Sequence, residues 1–165
     1  VDTLLAGGKL RPPLAVVGFS YGGAVGIQYA AADPRVRAVI AVATFSSLRG
    51  VLREYLSCRL PTLGPLVPEW VFDRVLGRAG QLAGFDPSRA SPLLGAARGQ
   101  ARLLVIHGTE DCNIPVRHGR LICQAYGRRC QLLELRGEDH GVTFGQASAT
   151  VKPAMAHWLE RWMVD

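Results

Sequence analysis

The chemistry this chain can do centres on a serine, a histidine and an acidic pair, each set in a glycine-containing turn. Ser20 stands in Gly18-Phe19-Ser20-Tyr21-Gly22, the G-x-S-x-G spacing of a serine held at the tip of a strand-to-helix turn. Such a turn brings backbone segments close together, so side chains two residues before or after the serine are expected to find no room; Gly23 extends that clearance. A serine hydroxyl attacks carbonyl carbon only when a base removes its proton. His140, in Gly137-Glu138-Asp139-His140-Gly141, is the candidate base. His107 falls at a strand end, and His118 and His157 fall in helical patterns. A base of this kind needs a carboxylate to fix its tautomer and stabilise the imidazolium. Asp111, in Ile106-His107-Gly108-Thr109-Glu110-Asp111-Cys112-Asn113-Ile114-Pro115, is the first candidate and Glu110 the alternative. Asp139 is too close to His140 in sequence to approach its ring easily. The Tyr21 N–H, at the start of the helix, is the candidate oxyanion donor, where the helix dipole also favours negative charge.

These residues become a site only if one sheet edge carries all of them. Leu14–Gly18 is a short apolar run, and Tyr21–Ala32 is helix-tolerant until Asp33-Pro34 stops it. Further strands are predicted over Val36–Ala43, Arg102–His107 and Cys130–Leu135. Helical patterns fall over Leu121–Tyr126 and Val151–Met163. Strand alternating with helix predicts an α/β fold, a three-layer sandwich around a mostly parallel sheet with right-handed crossovers. Ser20, Asp111 and His140 each follow a strand, so all three are expected at its carboxyl edge, where ligands bind in open α/β sheets.

The stretch 46–100 is too long for a simple crossover. Two amphipathic helical stripes run through it, Leu48–Leu56 and Glu69–Ala79, with Pro61, Pro65 and Pro68 between them. It is expected to form a helical lid or cap over that edge, the plainer reading being extra cover for the core.

A chain of 165 residues, 48% hydrophobic and 19% charged, suits one domain, here 1–165. No apolar run reaches the roughly 18 residues of a membrane-crossing helix, so the chain reads as soluble, with a cytoplasmic location expected. The net charge of +6 comes from basic residues scattered singly in sequence, only Arg128 and Arg129 being adjacent, which argues against nucleic-acid binding. Cys58, Cys112, Cys123 and Cys130 lack zinc-site spacing and are expected to be reduced thiols, although Cys123 and Cys130 lie near enough in sequence to pair. No metal or cofactor is implied, since no ligand cluster or phosphate-cradling loop occurs.

The strings G-F-S-Y-G-G at 18–23 and I-H-G-T-E-D-C-N-I-P at 106–115, with G-E-D-H ending at His140, resemble the α/β-hydrolase superfamily, in its serine esterase, prolyl-oligopeptidase-like and dienelactone-hydrolase-like branches. Serine at position 20 departs from the cysteine usual in dienelactone hydrolases. The chain order Ser, Asp, His is the one this resemblance implies. In that superfamily several strands precede the elbow, whereas here it follows the first. N-terminal strands worth roughly 60–100 residues are therefore expected outside this sequence, together with a second oxyanion donor. The resemblance implies hydrolysis of an ester or related acyl bond of a small-molecule substrate through an acyl-serine, with a carboxylesterase expected first. The alternatives are a serine peptidase of prolyl-oligopeptidase type and a non-catalytic truncated hydrolase module.

Overall fold

A computed structural model describes residues 1–96, 98–141 and 148–163. Its centre is a four-stranded, wholly parallel sheet in the order β1-β2-β3-β4, made of Leu14–Phe19, Val36–Val42, Arg102–Gly108 and Cys130–Leu135. Parallel strands covered on both faces read as continuous apolar runs, and β2 and β3 do. Leu103 and Val105 face one apolar cluster, while Leu104 and Ile106 face another, the period of two expected of a strand.

Among the described residues seven α-helices surround the sheet: α1 Asp2–Ala6, α2 Tyr21–Ala32, α3 Leu48–Arg59, α4 Glu69–Ala83, α5 Pro92–Ala96, α6 Arg117–Tyr126 and α7 Ser148–Met163. Ile27 and Ala30 of α2, Ala96 of α5 and Ile122 and Tyr126 of α6 build one core cluster, and Val151 and Trp158 of α7 build the other. Helices thus lie on both sides of the sheet, the three layers of an α/β sandwich. Strand β1 is an edge, with Val17 and Phe19 exposed. Helix α6 begins at Arg117, four residues before the predicted start, because its first turn buries His118 and Gly119 rather than apolar side chains.

The stretch between β2 and β3 is helical. Ser47 caps α3 by accepting from the Gly50 N–H at 3.1 Å, and Gly84 ends α4 in the left-handed conformation at φ 67°. Arg49 binds Asp73 at 2.8 Å and Arg53 pairs with Glu69, which joins α3 to α4. Helix α5 packs on α2 and contributes to the core.

The expectation of reduced thiols is corrected. Cys58 is bonded to Cys112, and Cys123 to Cys130. The chain does not need these links for want of a core. The fold brings the Cα atoms to 5.6 and 5.0 Å, inside the range a disulfide spans. The first bridge joins the last turn of α3 to the residue after Asp111.

Candidate active site

The turn after β1 is strained at the serine itself. Ser20 has φ 51° and ψ −119°, a backbone region that a side-chain-bearing residue occupies only when its surroundings hold it there. They do so from β2 and just beyond it: the Ser20 N–H donates to Val42 O at 2.7 Å, and the Thr44 hydroxyl donates to Ser20 O at 2.8 Å. A Cβ on Gly18 would collide with the Gly22 carbonyl, and one on Gly23 would lie 2.9 Å from Thr44 Cβ. Gly22 differs from expectation, because a Cβ there would meet open space. The crowding is between the Gly22 backbone and Gly18, so clearance is needed at 18 and 23. Helix α2 starts at Tyr21, whose N–H is among the first-turn donors that a helix cannot satisfy internally.

The loops after β3 and β4 are laced together. Thr109 N–H donates to Leu135 O at 3.0 Å, Glu110 N–H to Glu138 O at 2.9 Å, and Gly137 N–H to the Thr109 hydroxyl at 2.9 Å. Gly108 is obligatory here, since a Cβ would run into the Glu138 carbonyl. This lacing brings Asp111 and His140 together although 29 residues separate them.

His140 Nδ1 lies 2.7 Å from Asp111 Oδ2, and its Nε2 lies 3.1 Å from Ser20 Oγ. With Nδ1–H donating to the carboxylate, Nε2 is left to accept the serine proton. Glu110 takes no part through its side chain; its backbone ties the two loops. Asp139 instead accepts from the Gly141 N–H at 2.6 Å. Burial alone would push the Asp111 carboxyl up, but the neighbouring His107 imidazole and hydrogen bonds from His140 and the Ile114 N–H bring it down to about 2. The same bond to Asp111 raises His140 above its ordinary 6.5, against partial burial and the charge of Arg59.

Two buried histidines that sequence patterning set aside have structural partners. His107, fully buried, donates from Nε2 to Ile114 O at 2.7 Å and lies 3.5 Å from Asp111 Oδ2, while Ile114 N–H donates to Asp111 Oδ1 at 2.9 Å. It closes the turn that carries Asp111, and its Nδ1 has no hydrogen-bond partner among the described residues. His118 bridges Glu54 Oε2 at 2.7 Å and Ser46 Oγ at 2.8 Å, pinning α3 to α6. The place of His107 in the I-H-G-T-E-D string, four residues before the acid, was the one available signal; nothing local marked Ser46 or Glu54. Among the described residues no group of three His, Cys, Asp or Glu side chains is placed to hold a metal ion, and no helix is long and apolar enough to cross a membrane.

A parallel sheet covered on both faces, a serine in a strained strand-to-helix turn and the order Ser, Asp, His define an α/β-hydrolase fold of the serine type. More particularly, residues 11–165 match the prolyl oligopeptidase family, and the chain belongs to it. No curated protein matches the chain. Among solved structures it is similar to a puromycin-hydrolyzing peptidase of Mycobacterium tuberculosis, at 23% identity and TM-score 0.68, over 94% of this chain and 22% of that one. It is similar to the esterase domain of a Rhodothermus marinus protein, at 21% identity and TM-score 0.69, over 98% of this chain and 65% of that one. It is also similar to the acylaminoacyl peptidase of Pyrococcus horikoshii, at 18% identity and TM-score 0.65, over 98% of this chain and 26% of that one. The chain thus spans between about a fifth and two thirds of the length of these structures.

Proposed function

We propose that Ser20 is the nucleophile, His140 the general base and Asp111 its orienting acid in hydrolysis of an ester or related acyl bond. The observation that carries this reading is the unbroken hydrogen-bond chain from Ser20 Oγ through both nitrogens of one imidazole to a buried carboxylate. In the first half-reaction Ser20 Oγ bonds to the acyl carbon while its proton passes to His140 Nε2. The carbonyl oxygen gains charge beside the Tyr21 N–H, the C–O bond to the leaving group breaks, and His140 returns the proton to that group. Water then repeats the sequence on the acyl-serine. Asp111, acceptor-only while ionised, keeps Nδ1 protonated and stabilises the imidazolium.

Carboxylic esters of small alcohols are the first substrate class of this reading, since an alkoxide leaves more readily than an amine and asks less of the oxyanion site. A peptidase is the second reading, favoured by the family match over 11–165. Rates on short p-nitrophenyl esters and on aminoacyl p-nitroanilides separate the two, and amide preference would overturn the ester assignment. Of the stretch 46–100, α3 and α4 form the lid in this reading, with α3 tethered beside Asp111 through Cys58–Cys112, while α5 covers the core. Disulfides persist in oxidising surroundings, so this pair of bridges favours such a compartment over the cytoplasm first expected.

Intact-mass measurement after exposure to a fluorophosphonate tests the assignment. One adduct, absent in Ser20→Ala and His140→Ala, is expected. A folded chain that takes no adduct would leave only the non-catalytic reading, and an adduct retained in Ser20→Ala would refute the nucleophile.

A further inference from the structure

The basic residues that are scattered in sequence do not stay scattered. At the amino ends of β3 and β4, the pole of the sheet opposite Ser20 and His140, a cavity of about 180 Å³ is lined by Arg102, Arg128, Arg129 and Arg161 together with Trp158 and Trp162. No acidic side chain among the described residues lines it. Like charges gathered around one small space repel one another, and an anion from outside would relieve that repulsion.

Two of these cations are held against one aromatic ring. Arg102 stacks on the Trp162 ring at 4.3 Å and donates to Arg128 O at 3.3 Å. Arg161 lies 5.2 Å from the same ring. Arg129 turns its guanidinium instead to Ala96 O, at 2.6 Å, and to Gly99 O, over Tyr126, none of which lines the cavity. Arg128 is exposed at the rim. Guanidinium groups whose orientation is fixed lose little entropy on binding, and their forked N–H groups match the oxygens of phosphate. The size of the space selects among phosphate ligands: about 180 Å³ lies below the roughly 300–1,000 Å³ of sites that enclose drug-sized molecules, so a compact oxyanion fits and a nucleotide with its base does not.

We propose that this cavity is a binding site for a compact polyphosphate anion, of the di- or triphosphate class, separate from the hydrolase site. It does not depend on the assignment of Ser20 and stands whether or not the chain takes a fluorophosphonate.

The test is calorimetric titration of the full chain with inorganic tripolyphosphate at fixed ionic strength set with potassium chloride. One-to-one binding is expected, weakened about tenfold or more in Arg102→Gln/Arg161→Gln and measurably in Arg128→Gln, an exposed position with no packing to lose. Arg78→Gln, on α4, should leave it unchanged. Absence of binding, equal weakening in Arg78→Gln, or unaltered binding in Arg128→Gln and the double variant would overturn the proposal. A single-stranded RNA oligomer that binds undiminished in saturating tripolyphosphate would point instead to an extended nucleic-acid surface and would also overturn it. Thermal melts of each variant, run in parallel, separate lost binding from lost folding.

Discussion

Replacing Asp111 by Asn tests the part of the site that rests on geometry most directly. The carboxylate is acceptor-only at both oxygens: Oδ2 takes the His140 Nδ1–H at 2.7 Å and Oδ1 takes the Ile114 N–H at 2.9 Å. Ile114 N–H can bind only an oxygen, so the asparagine carbonyl belongs there and its NH₂ turns toward His140. Nδ1 must then accept, and the ring proton moves to Nε2, where it faces Ser20 Oγ and blocks removal of the serine proton. Wrong-tautomer substitutions of this kind lower kcat by about 10⁴, equivalent to about 5.5 kcal/mol at the transition state. The ground state also suffers, because a carboxyl held at about 2 instead of its ordinary 3.8 favours the ionised fold by about 2 kcal/mol. This contribution is complete above pH 4 and is lost as pH falls toward 2, so the melting temperature of Asp111→Asn should converge on that of the parent in acid. The assay is kcat/KM on a short p-nitrophenyl ester, with the rate of fluorophosphonate labelling as a second readout and Glu110→Gln as the control. A loss of less than about tenfold in folded Asp111→Asn, or an equal loss in Glu110→Gln, would refute the assignment of the acid.

Further outcomes are expected from the same geometry. His140 must be neutral to act as base, and Asp111 raises its pKa above the ordinary 6.5, so kcat/KM should fall as pH drops through a value above 6.5. The corresponding stability term has the opposite sense: it is present below the unfolded value and disappears as pH rises through the folded one, which histidine NMR titration would follow. His107→Phe leaves the buried Ile114 carbonyl without its donor and should cost about 1–3 kcal/mol in urea unfolding, whereas His107→Gln, whose amide reaches the same point, should recover part of it. Gly18→Ala should fold poorly or not at all, while Gly22→Ala should be tolerated in melting temperature, because only the first meets backbone. Thiol titration of the denatured chain should find no free cysteine until a reductant is added.

The candidate site was legible where chemistry coincides with local pattern. An apolar run, a glycine-flanked serine and a helix-tolerant stretch announce the turn without any knowledge of distant contacts, and the loops that follow two more such runs carry Asp111 and His140. The parallel sheet made the rest of the inference possible, because every strand in it delivers its following loop to the same edge. Gly22 shows how far this reasoning reaches: the motif correctly marked a crowded turn, but which glycine is crowded depends on the direction of each missing Cβ, and spacing carries no direction.

What patterning could not reach are the partnerships made across long stretches of chain. Cys58 and Cys112 are 54 residues apart, and Ser46 and His118 are 72 apart. Each joins the helical stretch after β2 to elements near Asp111, and neither shows in a local window. Arg102, Arg128 and Arg161 illustrate the same limit for charge. Arg102 opens β3, Arg128 precedes β4, and Arg161 lies in the last turn of α7, so their common neighbourhood exists only because β3 and β4 pair in register from Leu103 and Cys130 and α7 lies across that end. A parallel sheet therefore collects residues at two poles. The carboxyl pole gathers loop residues that follow strands, which is why Ser20, Asp111 and His140 could be anticipated together. The amino pole gathers residues that precede strands, and the arginines there became a cluster only once the register was known.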